Sequence, residues 1–353
     1  MTAPGVTVVV PTVGRPSLRA LLTALASADR APSSVFAERA PSGVFAERAP
    51  SSVEILVVDD RADRREPLVA PGAKVLTGRA AGPAAARNAG WRAARHEWVA
   101  FLDDDVEPDP DWLMRLADDV AAAGPDVGGI QGRVRVPLPE HRRPTDWERV
   151  TAGLAGAEWI TADMAYRRAA LEQAGGFDER FPRAFREDAE LACRVRQAGW
   201  LLARGRRTVT HPVRPESPWV SVRTQRGNAD DALLRRLYGP RWRAMLGVPP
   251  GRRPRHAAIT AAAAGAIGAV VAGMVTRRRG WFASAATAAA VWAAGTAAFA
   301  AARIAPGPRD RREVVTMVLT SAAIPPAATA HWLRGWARGR GAKPLVPALE
   351  ARR

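Results

Sequence analysis

Val99-Ala100-Phe101-Leu102-Asp103-Asp104-Asp105-Val106-Glu107-Pro108 is the stretch whose reading decides the fold. Four apolar residues bounded by charge predict a fully buried strand, and three carboxylates begin where that strand must end. Ligands of an open parallel sheet bind in the crevice outside the carboxyl ends of its strands, so these acids fall where a ligand would lie. Three adjacent carboxylates repel one another and cannot all be buried unpaired. Water satisfies them in an acidic turn; alternatively a hard divalent cation does so, with phosphate oxygens completing its shell. Ion pairs to neighbouring arginines would tell against the cation.

The chain before this stretch has the punctuation of an α/β unit. Val6 to Val10 is a β-branched run ended by Pro11-Thr12-Val13-Gly14-Arg15-Pro16, and Ser17 can cap a helix reaching about Ala28. Glu54 to Val58 predicts a second strand running into Asp59-Asp60, and Ala73 to Leu76 a shorter third. Between them a nine-residue unit beginning Ala31-Pro32-Ser33 recurs at Ala40 and starts again at Ala49. The copies are too few and too short to stack as a solenoid, so 31–50 reads as a duplication in an exposed connection. Gly82-Pro83 then opens a helix of strong formers through Ala94, with Arg87 and Asn88 about one turn inside.

Composition bounds the partners without choosing a fold. The 353 residues carry 52 Lys and Arg against 35 Asp and Glu, a net charge of +17. That charge allows nucleic acid, anionic lipid or phosphorylated substrates. One cysteine, Cys193, excludes an internal disulfide and a cysteine-based metal cluster. The opening apolar run is too brief for a secretory core, so no signal peptide is expected.

Taken together, Val8 to Thr12, Ile55 to Asp60, Gly82 to Gly90 and Phe101 to Pro110 resemble, in order and spacing, the family-two glycosyltransferases of the GT-A fold. The resemblance covers the first ~240 residues. It implies an α/β fold with a Rossmann-like nucleotide-sugar-binding sheet and flanking helices, a nucleotide-diphosphate-sugar donor (UDP-, GDP- or dTDP-linked) and Mg²⁺ or Mn²⁺. By the resemblance, Pro11 and Thr12 line the nucleobase, and Asp60, with Asp59, accepts a hydrogen bond from it. Arg87 and Asn88 close over the nucleoside, Asp103 and Asp104 are acids on the ribose side, and Asp105 is a metal ligand that Asp103 can assist. The chemistry agrees: a diphosphate leaving group gains charge as the glycosidic bond breaks, and a bridging cation neutralises it without a proton donor.

The second half should supply the acceptor side and a base. Trp159 to Arg168 predicts a strand, Ala169 to Ala174 a helix, and Gly175-Gly176-Phe177-Asp178-Glu179 a turn. This resembles the family's donor-sugar segment, with Asp163 where an Asn is common. Glu187 and Asp188 stand in the first turn of a further helix, where the dipole favours anions. Alone they read as helix-terminal acids; the resemblance implies that Asp188 takes the proton from the acceptor hydroxyl and Glu187 orients it. An inverting single displacement needs one base opposite the leaving group. His211 closes a β-like run, and the resemblance offers it as a further metal ligand against the commoner structural role.

Beyond Arg214 the character changes. Trp219 to Leu237 can form a basic amphipathic helix, and 241–256 is a basic linker rich in Arg, Pro and Trp that suits a lipid surface. Ala257 to Val275, Trp281 to Ala302 and Val314 to Leu333 are each about long enough to cross a bilayer. Alanine dominates them, which is why the mean hydropathy of the whole chain is only −0.15. Charge is confined to the breaks, so 257–335 reads as membrane helices followed by a basic tail, 336–353. Every break is basic, and both three crossings and two with one interfacial stretch remain open. The catalytic half, 1–240, is expected in the cytoplasm, with a glycan or lipid-linked acceptor. Two other readings stand beside this one: a haloacid-dehalogenase-like phosphatase with Asp103 as nucleophile, whose pattern breaks at Glu107, and an inactive membrane scaffold. Nucleic acid is not expected, because the arginines cluster beside apolar stretches and not among aromatic stacking platforms.

Overall fold

The buried run at Trp98–Leu102 sits in the middle of an eight-stranded sheet. The computed structural model describes residues 4–30, 52–343 and 345, so the whole 31–50 repeat and half of the basic tail lie outside the described residues. The strands are β1 (Val6–Thr12), β2 (Val53–Asp59), β3 (Lys74–Thr77), β4 (Trp98–Leu102), β5 (Glu107–Pro108), β6 (Val127–Arg135), β7 (Asp163–Arg167) and β8 (Leu201–Thr210). Their order is β3-β2-β1-β4-β7-β6-β8-β5. The first four run parallel, β7 is antiparallel to β4 and to β6, β6 and β8 are parallel, and β5 returns antiparallel on β8. This is a mixed α/β sheet of the GT-A kind.

Both faces of the sheet are covered, as near-continuous apolar strands require. Val6, Val8, Val10, Ala100 and Leu102 pack on one side under helices α1 (Ser17–Arg30) and, later in the chain, α3 (Trp112–Ala121). Val9, Leu56, Val58, Val99 and Phe101 pack on the other side under α2 (Pro83–Ala93). Two later helices, α5 (Arg168–Ala174) and α6 (Glu187–Gln197), contribute Leu171 and Leu191 to that layer. α2 lies close to the strands because Gly90 has no side chain: a Cβ there would come within 2.2 Å of Val9 Cγ1.

The chain divides into two compact units, 1–137 with 152–213 and 138–151 with 214–353. Residues 214–240, expected with the catalytic half, therefore belong to the second unit. That unit holds α4 (Asp146–Ala152), α7 (Val220–Arg223), α8 (Asn228–Tyr238), α9 (Trp242–Met245), α10 (Arg253–Thr276), α11 (Gly280–Ile304) and α12 (Arg311–Arg338). α8 falls there because it is packed along α12, with Gly335 against the Ala229 backbone and Arg236 over the Trp336 ring. Three helices, α10, α11 and α12 with its 3₁₀ extension to Gly341, are long and apolar enough to cross a membrane.

Candidate active site

Strand alternation, carried one step past the end of β4, separates the three acids. Leu102 faces the α1 and α3 layer, so Asp103 turns to the α2 side and Asp104 back to the first. Asp103 Oδ1 accepts from Arg87 Nη2 at 2.8 Å. Asp104, 1% exposed, accepts from Thr12 Oγ1 at 2.6 Å and pairs with Arg15; burial raises its pKa above the usual carboxylate value, against the lowering by Thr12 and Arg15. Asp105 lies 3.7 Å from His211 Nε2 and 3.9 Å from Arg15 Nη1. All three acids thus lie within ion-pair distance of an arginine, Asp105 at the longest separation, and of the three only Asp105 has His211 beside it. Among the described residues no group of three or more His, Cys, Asp or Glu converges on one point. A carboxylate fits a hard divalent cation whose remaining ligands are donor phosphate oxygens and water, and the imidazole beside it is a softer donor that suits a transition metal such as Mn²⁺ better than Mg²⁺.

The second strand ends in two acids with different surroundings. Asp59 is held by Arg61 through paired 2.8 Å bonds, and these lower its pKa. Asp60 Oδ2 accepts from Gly82 N at 2.9 Å, while Asp60 Oδ1 is buried without a hydrogen-bond partner. Buried acceptors are nearly always satisfied, so this oxygen is one to which a ligand N–H can bond. Gly82 is held at φ +95°, where a Cβ would lie 2.4 Å from Pro182 O; glycine is required there for the turn and for the close approach. Pro11 is half-buried beside Thr12 at the end of β1.

Arg87 is the residue that joins the two acidic motifs. It is 1% exposed, donates to Asp103 at 2.8 Å and to Glu187 Oε1 at 2.8 Å, and lies over the Phe177 ring. The guanidinium fork has the planar geometry to hold two carboxylates from separate segments. Asn88, expected to close over the nucleoside, is bonded within the protein: its amide donates to Phe177 O and Glu179 Oε1, and its oxygen accepts from Phe177 N and Trp91 Nε1, all at 2.9 Å. It braces the turn that Gly175 and Gly176 open.

Glu187 and Asp188 begin α6 behind Arg186, which holds φ +76°. A non-glycine residue in the left-handed region is a strained conformation, and such positions concentrate at functional sites. Burial and the adjacent Asp188 push Glu187 up to about 8, against Arg87, while Glu187 Oε2 is left without a partner. Asp188 is also raised, by desolvation before any other cause, and its Oδ1 accepts from Ala189 N at 2.7 Å. A half-buried carboxylate of raised pKa is a stronger base than a solvated one.

Asp163 belongs to the core. It is fully buried at the start of β7, with Arg207 Nε at 2.7 Å and Trp112 Nε1 at 2.8 Å, on the α3 side. Arg207 also binds Asp119 at 3.0 Å and Ile130 O at 2.7 Å. Sequence reasoning missed Arg207 and Arg15. Nothing in the Arg206-Arg207 pair distinguishes the buried one except alternation along β8, whereas Arg15 follows Gly14 at the mouth of the site.

The family model of glycosyl transferase family 2 matches residues 7–180. Over 82 residues the chain is 43% identical to the succinoglycan biosynthesis protein ExoO of Rhizobium meliloti, covering 22% of this chain and 24% of that protein. Over 132 residues it is 33% identical to the pre-mycofactocin glycosyltransferase of Mycobacterium tuberculosis, covering 33% of this chain and 27% of that one. The chain spans about a quarter of the length of these curated relatives. Among solved structures it is similar to a mannosyltransferase of Pyrobaculum calidifontis in complex with GDP-Man and Mn²⁺. That likeness has 19% identity, a TM-score of 0.48, and coverage of 94% of this chain and 89% of that one.

Proposed function

Residues 7–180 belong to glycosyl transferase family 2, and from that premise we propose that the chain moves a sugar from a nucleotide-diphosphate donor to an acceptor hydroxyl with inversion, at a membrane. One observation carries the reading. Arg87 bonds at 2.8 Å to Asp103 of the strand-end acids and to Glu187 of the helix-terminal pair, which supports reading two motifs 84 residues apart (187 − 103) as one site.

Each side chain then has a role. The open oxygen of Asp60 receives the nucleobase N–H, and Pro11 and Thr12 lie beside it. Asp105 and His211 would hold Mg²⁺ or Mn²⁺, which when bound offsets the charge growing on the diphosphate. Arg87 fixes Asp103 and Glu187 relative to each other, and Glu187 sets the place of Asp188. Asp188 takes the acceptor proton as the acceptor oxygen bonds to the anomeric carbon and the bond from that carbon to the diphosphate breaks on the opposite face. The acceptor class that fits the apolar helices is a lipid-linked or envelope glycan.

Titration calorimetry of the full chain in detergent with UDP-, GDP- and dTDP-sugars, with and without Mn²⁺, tests this. The expected result is binding of one nucleotide class that requires the cation and is lost in Asp105→Ala. Donor binding indifferent to both, or a phosphoaspartate formed at Asp103, overturns it; the latter marks phosphatase chemistry.

A further inference from the structure

The third long helix does not behave like the other two. One third of the apolar window of α12 is buried within the protein, against 11% for α10 and for α11. From its first turn to its last, α12 is bonded to polar chain that precedes α10. Glu313 Oε1 accepts from Asp146 N at 2.9 Å. A Cβ on Gly335 would come 2.4 Å from Ala229 O in α8, and Trp336 O accepts from Arg236 Nε at 3.0 Å. Glu313 and Trp336 are 23 residues apart, about 35 Å of helix, which exceeds the roughly 30 Å hydrocarbon core of a bilayer. An α12 standing across the membrane would put α8, held at its last turns, on the side opposite Asp146, yet among the described residues no helix between 146 and 229 is long and apolar enough to carry the chain across. Pro325 and Pro326 also interrupt the middle of α12.

The hairpin of α10 and α11 meets this polar chain at one end, where Arg303 in the last turn of α11 reaches Asp146 and Ser221; at the same end Arg253 opens α10 over the Trp332 ring of α12 at 4.5 Å. Away from that end the two helices pack on each other, Phe282 against Gly273 and Ile259 against Gly295. Each also has an exposed face: Ile267 and Val275 of α10 are 67% and 78% exposed, and Val291 of α11 is 58% exposed. The 20 residues from 257 to 276 rise about 30 Å, the hydrocarbon thickness.

We propose that the chain crosses the bilayer twice, through the α10–α11 hairpin, and that α12 lies along the membrane surface. The chain beyond Arg338 then returns to the side that holds residues 1–252. The hairpin tip carries Arg277, Arg278 and Arg279, whereas the arginines at 252–255, 309–312 and 334–340 stay on the near side. That excess makes the near side cytoplasmic by the positive-inside rule, and a third crossing would erase part of it. The inference rests on the membrane anchor proposed above and is independent of the transfer chemistry.

Sealed everted vesicles from cells making the full chain in a Cys193→Ala background test it. Single variants Ala62→Cys, Arg278→Cys and Lys343→Cys meet a membrane-impermeant maleimide before and after detergent. Expected is labelling of positions 62 and 343 in intact vesicles, and of 278 only after detergent. Lys343→Cys behaving like Arg278→Cys establishes three crossings, and Arg278→Cys behaving like Ala62→Cys establishes a surface hairpin; each overturns the proposal. As a check free of these substitutions, a C-terminal epitope on the unaltered chain should be lost to protease added to the same vesicles, and a protected epitope also refutes it. Neither readout depends on whether a sugar is transferred.

Discussion

Glu187 is the residue where burial and chemistry are most closely coupled. Its pKa is raised from 4.5 to about 8, chiefly by desolvation. Between those values the native state holds a proton that the unfolded chain has lost, so the stability it contributes is full below about pH 4.5, declines as the pH rises and is gone above about pH 8. Thermal unfolding of the detergent-solubilised chain between pH 5 and 8.5 should show this fall, and Glu187→Gln should flatten it. Transfer runs in the opposite sense. The base must be ionised, so kcat/KM should climb as the acid pair loses its proton and level off above it. Asp188→Asn should abolish transfer while leaving donor Kd unchanged; retained turnover places the base elsewhere. At this scale the acids were legible, because carboxylates at strand and helix ends announce themselves in the sequence. Their partners were not. That Asp103 turns to Arg87 and Asp104 to Arg15 depends on which sheet face each acid takes, and that follows from the register of β4.

Among the elements, those built from β-branched or apolar runs could be read directly, and those built from glycine could not. β1, β2 and β4 stand within two residues of their expected bounds, and α2 begins at the Pro83 that predicts it. β6 was invisible because three of its nine residues are glycines. The structure gives the reason: a Cβ at Gly128 would come 2.6 Å from Trp200, and one at Gly129 2.8 Å from Met164, Tyr166 and Leu202, so large neighbours fill the space its own side chains lack. α3, by contrast, carries Trp112, Leu116 and Val120 at helical spacing and was open to reading. The same logic of close approach governs Gly90. Replacing it by Ala adds about 1 kcal/mol of helix propensity. The new methyl would lie 2.2 Å from Val9 Cγ1 in a fully buried layer, and overpacking of that kind costs about 1–3 kcal/mol. The clash should win, and urea unfolding should show Gly90→Ala less stable than the parent. A gain in stability would mean that α2 can move off β1.

For the molecule as a whole, the apolar stretches were legible from length and from the arginines between them, but their unequal roles were not, because each of α10, α11 and α12 is long and apolar enough to cross a membrane. What separates them is tertiary, and Arg303 shows how. It is 6% exposed and donates to Thr320 Oγ1 at 2.8 Å, Ser321 Oγ at 3.0 Å, Asp146 Oδ2 at 2.6 Å and Ser221 Oγ at 3.1 Å. One guanidinium thus ties the end of α11 to α4, α7 and α12. Its carbonyl accepts from Arg149 Nη2 at 2.9 Å, which adds a second tie to α4. Removing one partner of a buried charge pair costs about 3–5 kcal/mol, because the other is left uncompensated; removing both is often close to neutral. Arg303→Met should therefore open the 305–310 connection to limited proteolysis and lower the unfolding midpoint. The double variant Arg303→Met with Asp146→Asn should recover a substantial part of that loss. Arg149, 3.4 Å from Asp146, would moderate the single effect without abolishing it. If the double variant loses as much as the two single variants added together, Arg303 and Asp146 act independently, and the hairpin is held to its base by packing alone.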